Sequence, residues 1–363
     1  MKPLSNYAKR AGLSAISLLL LTHFAAAQLQ PALADSFLNF INANKSRASV
    51  YITVNDTAIS RLNENHLMPL ASTMKILVAI EFAQQSIHET INENSLVDLD
   101  ELDKYYIPNT DGGAHEAWLA YAKQNNLITD NKVKLIDVAR GMTMFSSNAN
   151  AEYLMDLLGF DSIKDNISLF KLKQHTPIFP LVGSLFLYQV PKKSSEEKVM
   201  KSLAKLSPKE YSLEAYDAHM DLKEDSNFKA TFRPDDLTPR MQKLWSDKLP
   251  QSTTKDYVQL VSALNNREIL DEDVYFTIAE TLEYPMESKA FEAAFKHYGV
   301  KGGSTPFVLT HVIYMTMKDG SRIESAIFFN DLAPAEEKKL EEWLDPFEAQ
   351  MIFDKAFRSK LNF

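Results

Sequence analysis

Strand signals sit at the two ends of this chain, and helical periodicity fills what lies between. Val50, Ile52 and Val54 alternate with Tyr51, Thr53 and Asn55, as a half-buried strand requires. Asn55-Asp56 marks a turn, and a second short strand follows near residues 58–61. Toward the C-terminus, residues 310–318 and 322–329 flank Asp319-Gly320, a hairpin signal. An amphipathic helix begins at Asp35. Residues 335–357 read as another, with Leu340, Trp343, Leu344 and Phe347 on one face. Segments so far apart can share a core only as one antiparallel sheet flanked by helices. The middle, roughly residues 70–290, then forms an all-helical lobe packed against it, with a crevice between the two. Ten glycines among 363 residues suit long helices with few tight turns.

The first 34 residues read as a secretory leader. Lys2, Lys9 and Arg10 precede an apolar stretch centred on residues 18–21, and alanine sites allow cleavage after Ala27 or Ala34. The stretch is short for a membrane span and contains His23, which favours cleavage over anchoring. Removing the leader takes the formal charge from −9 to −12. An acidic chain without a basic cluster excludes nucleic acid as the expected partner. With no cysteine the mature protein has neither a disulfide nor a lipid-anchor thiol, so its core alone must hold it. The expectation is a periplasmic or secreted monomer, off the membrane once the leader is cut.

The chemistry concentrates at Ser72-Thr73-Met74-Lys75. Serine three residues before lysine recurs at Ser168/Lys171, Ser195/Lys198, Ser202/Lys205, Ser226/Lys229 and Ser252/Lys255, so spacing alone is weak. Context separates Ser72: Pro69-Leu70-Ala71 leads in, and Ile76-Leu77-Val78-Ala79-Ile80 follows without a charge. This is a helix start buried on most sides, where a hydroxyl and an amine are costly unless they serve each other. At i and i+3 they share a face. Burial or a second cation lowers the lysine pKa and frees its lone pair to take the serine proton. Ser146-Ser147-Asn148 and Lys301-Gly302-Gly303-Ser304 follow in order. Alone, the first reads as a helix cap and the second as a loop; with Ser72 they make a constellation.

Together the three motifs resemble the serine β-lactamase and penicillin-binding protein superfamily, most closely the class A β-lactamases. The resemblance runs from about residue 36 to the C-terminus. It implies an α+β, β-lactamase-like fold with a five-stranded antiparallel sheet. The sheet lobe would span about 35–68 and 290–363, and the helical lobe about 69–289, with an insertion near 180–240. It implies Ser72 as acylated nucleophile, Lys75 as base and Ser146 as proton relay. Asn148, Lys301, Gly303 and Ser304 would bind substrate, and the backbone N–H groups of Ser72 and Ser304 would form the oxyanion hole. The substrate would be a small molecule or peptidoglycan-like, with no cofactor.

Three departures stand out. Ser147 replaces an aspartate. Gly302 replaces a hydroxyl residue that binds the substrate carboxylate, a role left to Thr305 or His311. The glutamate that activates the deacylating water is missing: residues 175–181 carry no carboxylate, and Glu152, Asp235 and Asp236 are the candidate replacements, though none matches a motif. An enzyme so built acylates and then stalls, so a D,D-peptidase or esterase is the alternative to a β-lactamase. A non-catalytic binding or sensor domain is the other. An extra segment at 105–118 is expected at the rim, with His115 or Trp118 touching substrate. Asp111, His115 and Glu116 lack the context of a metal site; Asp111 reads as the cap of a helix at 114–121.

Overall fold

The computed structural model describes residues 30–225 and 227–363. The leader lies outside them except for its last five residues. Those enter the helix Pro31–Ala43, which starts with proline in its first turn and buries Ala34, Phe37, Leu38 and Ile41. Cleavage after Ala34 would remove that first turn; Ala27 lies outside the described residues.

The alternating segments form the sheet. Strands β1 (Ala48–Val54), β2 (Thr57–Leu62), β3 (Phe295–Thr305), β4 (Val308–Met317) and β5 (Arg322–Phe329) lie in the order β2-β1-β5-β4-β3. All neighbours are antiparallel, with Val50 opposite Ile327 and Gly302 opposite His311. The β4–β5 turn uses Gly320 at φ +89, a conformation that costs glycine nothing. β3, which carries Lys301 to Ser304, is an edge strand and so borders the helical lobe.

Two helices from opposite ends of the chain cover one face of the sheet. Phe37 of Pro31–Ala43 packs against Phe347 of the C-terminal helix Pro334–Phe353 (4.6 Å between ring centroids) and against Phe329 of β5 (5.7 Å). The other face is covered by Thr254–Asn266, where Tyr257 meets Phe328 edge-on at 5.8 Å and Asn265 Nδ2 donates to the Met315 carbonyl. This helix, placed by the sequence within the helical lobe, joins that lobe to the sheet: beyond its strand contacts, Asp256 accepts from the Gln174 N–H and Gln259 donates to the Phe170 carbonyl. Its apolar stripe gives no sign of whether helix or sheet will cover it.

The helical lobe surrounds Lys75–Ile87, whose residues 75–83 are all buried. Such a helix, buried on every side, belongs at the centre of a core. The insertion folds into the helices Leu181–Phe186, Glu196–Lys205, Pro208–Glu224 and Pro239–Lys248. It has its own aromatic cluster, with Phe186 4.7 Å from Phe228 and 4.8 Å from Phe232.

Candidate active site

The nucleophile segment is one tight turn. Ala71–Met74 is a 3₁₀ turn that runs directly into the helix Lys75–Ile87. Ala71 has φ +45, a left-handed conformation that strains a residue with a Cβ. The elbow is pinned at Leu70. Its carbonyl accepts from Thr73 Oγ1 (2.6 Å) and Thr310 Oγ1 (2.8 Å), and its N–H donates to the Pro250 carbonyl (2.8 Å). Ser72 is left half-exposed, above a buried floor.

Two amines form that floor. Lys75 is fully buried, and its Nζ donates to the Ser146 carbonyl (2.6 Å) and to Asn148 Oδ1 (2.8 Å). Lys301 is 3% exposed, and its Nζ donates to Ser146 Oγ (2.9 Å) and the Gly302 carbonyl (2.7 Å). Ser146, itself at φ +70, is thus gripped by one amine at its carbonyl and by the other at its hydroxyl. Burial lowers Lys75 to about 7, against the weaker opposing pull of Asp111 and Glu152. Burial, then the charge of Lys75, holds Lys301 well below the ordinary lysine range. Two amines in one dry pocket cannot both stay charged at neutral pH. A neutral Lys75 spends its two N–H donors on Ser146 and Asn148, and its lone pair remains for the Ser72 proton. No hydrogen bond joins Lys75 Nζ to Ser72 Oγ in this structure.

The third motif is pressed against the first. A Cβ on Gly303 would lie closer to the Ser72 nitrogen than any real contact allows, 2.9 Å from Thr310 Oγ1 and 3.0 Å from the Thr73 nitrogen. Glycine therefore lets β3 reach the start of the nucleophile turn. Gly302 differs. A Cβ there would press only on the His311 ring, at 3.2 Å from Cδ2, with the Thr310 carbonyl at an ordinary 3.8 Å. His311 occupies the space that a side chain at 302 would use, with Nδ1 2.6 Å from Glu348 Oε1. Burial pulls this imidazole down most, but the charge and hydrogen bond of Glu348 and the charge of Asp345 together outweigh it, and the net shift is upward, favouring imidazolium. Next along the edge, the exposed Ser304 hydrogen-bonds Glu337, whose carboxyl is pushed up to about 8 by burial and by Glu341.

Beneath the second motif, Ser147 caps the helix Asn148–Leu158. Its Oγ accepts from the Asn150 N–H (3.3 Å), donates to Asn150 Oδ1 (2.9 Å) and lies 2.9 Å from His115 Nδ1. One hydroxyl has one proton to give, so His115 must donate from Nδ1. The serine that replaces aspartate is fully used, and it shapes the motif. His115 and Trp118, expected at the rim, are instead buried at 3% and 1% exposure, with ring centroids 5.4 Å apart. They support Ser147 from behind, His115 by its hydrogen bond and Trp118 by packing, because the helix Ala114–Gln124 turns that face inward. Asp111 accepts from the N–H groups of Gly113, Ala114 and His115, the capping role its sequence suggested. Glu116 takes the Tyr106 hydroxyl.

Neither carboxylate whose field reaches Lys75 is free: Asp111 is the cap just described, and Glu152 accepts from the N–H groups of Val182 (3.1 Å) and Gly183 (2.9 Å) and from His219 Nδ1 (3.1 Å). Glu152 therefore ties the insertion to the helix Asn148–Leu158. Asp236 pairs with Arg233 at the surface. His219 Nε2 lies 3.4 Å from Asp156, and its ring stacks on Tyr105. Burial lowers His219, but Asp156 and Glu152 together raise it from 6.5 to about 9. A raised folded pKa stabilises fully below about 6.5 and is lost as pH rises through about 9. Denaturant unfolding should therefore show wild type losing on the order of 3 kcal/mol over that window, and His219→Gln lacking the loss. Equal pH profiles would contradict the pairing.

Motif reading did not single out Thr310, Glu348 or Glu337. Glu337, Glu341 and Glu348 recur at spacings that share a helix face, which is a usable signal. Only strand pairing reveals that this face meets Ser304 and His311.

Residues 32–343 match the model of the Beta-lactamase2 family, described as the β-lactamase enzyme family. No curated protein sequence matches the chain. Among solved structures, a β-lactamase from Chitinophaga pinensis is similar at 16% identity and TM-score 0.54, covering 89% of this chain and 99% of its own. One from Sphaerobacter thermophilus is similar at 14% and 0.53, covering 90% and 97%. The L158E mutant of PBP-A, an acyl-enzyme complex with penicillin G, is similar at 13% and 0.51, covering 89% and 96%. At such identities these likenesses speak for the fold, while the family match spans most of the sequence. The chain belongs to the β-lactamase enzyme family.

Proposed function

We propose that this protein is an exported active-site serine hydrolase, acylated at Ser72 by β-lactams or related amides and esters, that deacylates slowly. The observation that carries the reading is the pair of buried amines converging on Ser146, one of them Lys75, three residues after Ser72. Lys75 takes the Ser72 proton as Oγ attacks the carbonyl. The N–H groups of Ser72 and Ser304 hold the oxyanion. Ser146, held by Lys301, passes a proton to the leaving amine or alkoxide as its bond to carbon breaks. His311 supplies positive charge, and Lys301 N–H donors, where the substrate's anionic end lies. A binding module on the same scaffold gains nothing from two amines kept dry without a carboxylate partner.

Slow deacylation rests on Asp111 and Glu152 being committed elsewhere. Without a general base, attack of water on the ester forgoes roughly 10²–10⁴-fold. Mixing with penicillin G should give one covalent adduct by intact mass that outlasts its formation by orders of magnitude. Rapid penicillin turnover with no accumulating adduct would contradict slow deacylation, and neither adduct nor turnover would contradict β-lactam reactivity. Export is supported by the leader pattern, and among the described residues no helix is long and apolar enough to cross a membrane.

A further inference from the structure

Thr310 lies on β4 directly opposite Gly303 of β3, and it is wholly buried. Its hydroxyl reaches two carbonyls, that of Leu70 at 2.8 Å and that of Gly303 at 3.1 Å. A hydroxyl has one proton to donate. The shorter distance gives it to Leu70, with Gly303 near enough to share it. One side chain thus bridges the lead-in to Ser72 and the strand that carries Ser304.

The other bonds at Leu70 do not make this link. The Thr73 N–H (3.0 Å) and Oγ1 (2.6 Å) also reach the Leu70 carbonyl, but they belong to the same turn. They tighten the turn without placing it. The Leu70 N–H goes to the Pro250 carbonyl (2.8 Å), which fixes it to the segment after the insertion rather than to the five-stranded sheet. Gly303 permits a close approach, since a Cβ there would collide with the Ser72 nitrogen, but a missing methyl supplies no attraction. The Thr310 hydroxyl supplies it. Placement matters because Ala71, between Leu70 and Ser72, is held at φ +45. A left-handed alanine persists only where its surroundings over-determine it.

We propose that Thr310 is a positioning residue for acylation: its hydroxyl sets the Ser72 turn against β3, so that the backbone donors of Ser72 and Ser304 meet the substrate oxygen as it becomes negative. The inference rests on Ser72 being acylated, as proposed above. An effect confined to the transition state falls on the acylation rate constant and spares the binding that precedes it. Stopped-flow mixing with a chromogenic cephalosporin separates the two in wild type, Thr310→Val, Thr310→Ala and Thr310→Ser, each well below its unfolding temperature. Thr310→Val keeps the shape and lacks the hydroxyl. It should acylate about 10–10² times more slowly, with the dissociation constant of the first complex changed less than about threefold. Thr310→Ala, which cannot overpack, should lose as much. Thr310→Ser keeps the hydroxyl and should stay within about threefold of wild type. Infrared spectra of the penicillin G acyl-enzyme give a second reading: the ester carbonyl stretch should move to higher wavenumber in Thr310→Val, as a carbonyl with weaker hydrogen bonds does. Wild-type acylation rates in Thr310→Val and Thr310→Ala would overturn the inference. So would a loss in Thr310→Ser as large as theirs, which would assign the effect to packing. Either result on an acylated wild-type Ser72 leaves the hydrolase reading standing; if wild-type Ser72 takes no acyl group, both fall together.

Discussion

Replacing Lys75 with alanine should lower the rate of Ser72 acylation by about 10²–10⁴-fold, the usual worth of a positioned general base. The argument is one of protons and donors. Lys75 is buried with no carboxylate partner, which holds its amine near neutrality with a pKa of about 7. Its two bonds to Ser146 and Asn148 aim the lone pair. Stopped-flow labelling with a chromogenic cephalosporin would measure the loss. A second readout separates a chemical role from a structural one. The base form is lost on protonation, so wild-type acylation should be level above about pH 7 and fall below it. The apparent pKa belongs to the Lys75–Lys301 pair. The residual activity of Lys75→Ala should lack that limb. A variant that is slow but keeps the limb would assign the titration to another group.

Gly303→Ala should be nearly as severe, for a steric reason. The added methyl would drive into the Ser72 nitrogen and sit 2.9 Å from Thr310 Oγ1, so β3 and the nucleophile turn must part. Loss of oxyanion donors costs about 10²–10³ in rate, and overpacking costs about 1–3 kcal/mol in stability. Gly302→Ala is the internal comparison. Its methyl is tight only against the His311 ring, at 3.2 Å, where a shift of a few tenths of an ångström relieves it. Acylation and thermal stability measured side by side should show a large loss at 303 and a small one at 302. Similar losses at both positions would refute the close-approach argument.

The reactive constellation was legible because its parts are local. Ser72 and Lys75 fall within one turn, and Ser146 and Asn148 straddle a helix start. Sheet and hairpin were legible from alternation. What escaped the sequence depends on which surfaces meet. The stripe of Thr254–Asn266 fits a sheet as well as a helix, and its destination is tertiary. His115 and Trp118 lie on the helix expected at 114–121, yet the face that turns inward is set by packing, and both are buried. Glu152 looked like a candidate for water activation until the insertion's N–H groups at Val182 and Gly183 met it. A carboxylate's partners, when they are backbone groups of a distant segment, leave no mark in the residue pattern.

A fluorescent penicillin incubated with wild type, Ser72→Ala and Lys75→Ala, followed by peptide mapping of the label, bears on the core of the account more directly than any other measurement. Label on the Ser72 peptide of wild type, with both variants silent on the same timescale, is the predicted result. Label of equal intensity in Ser72→Ala, or mapped to a different serine in wild type, would contradict it.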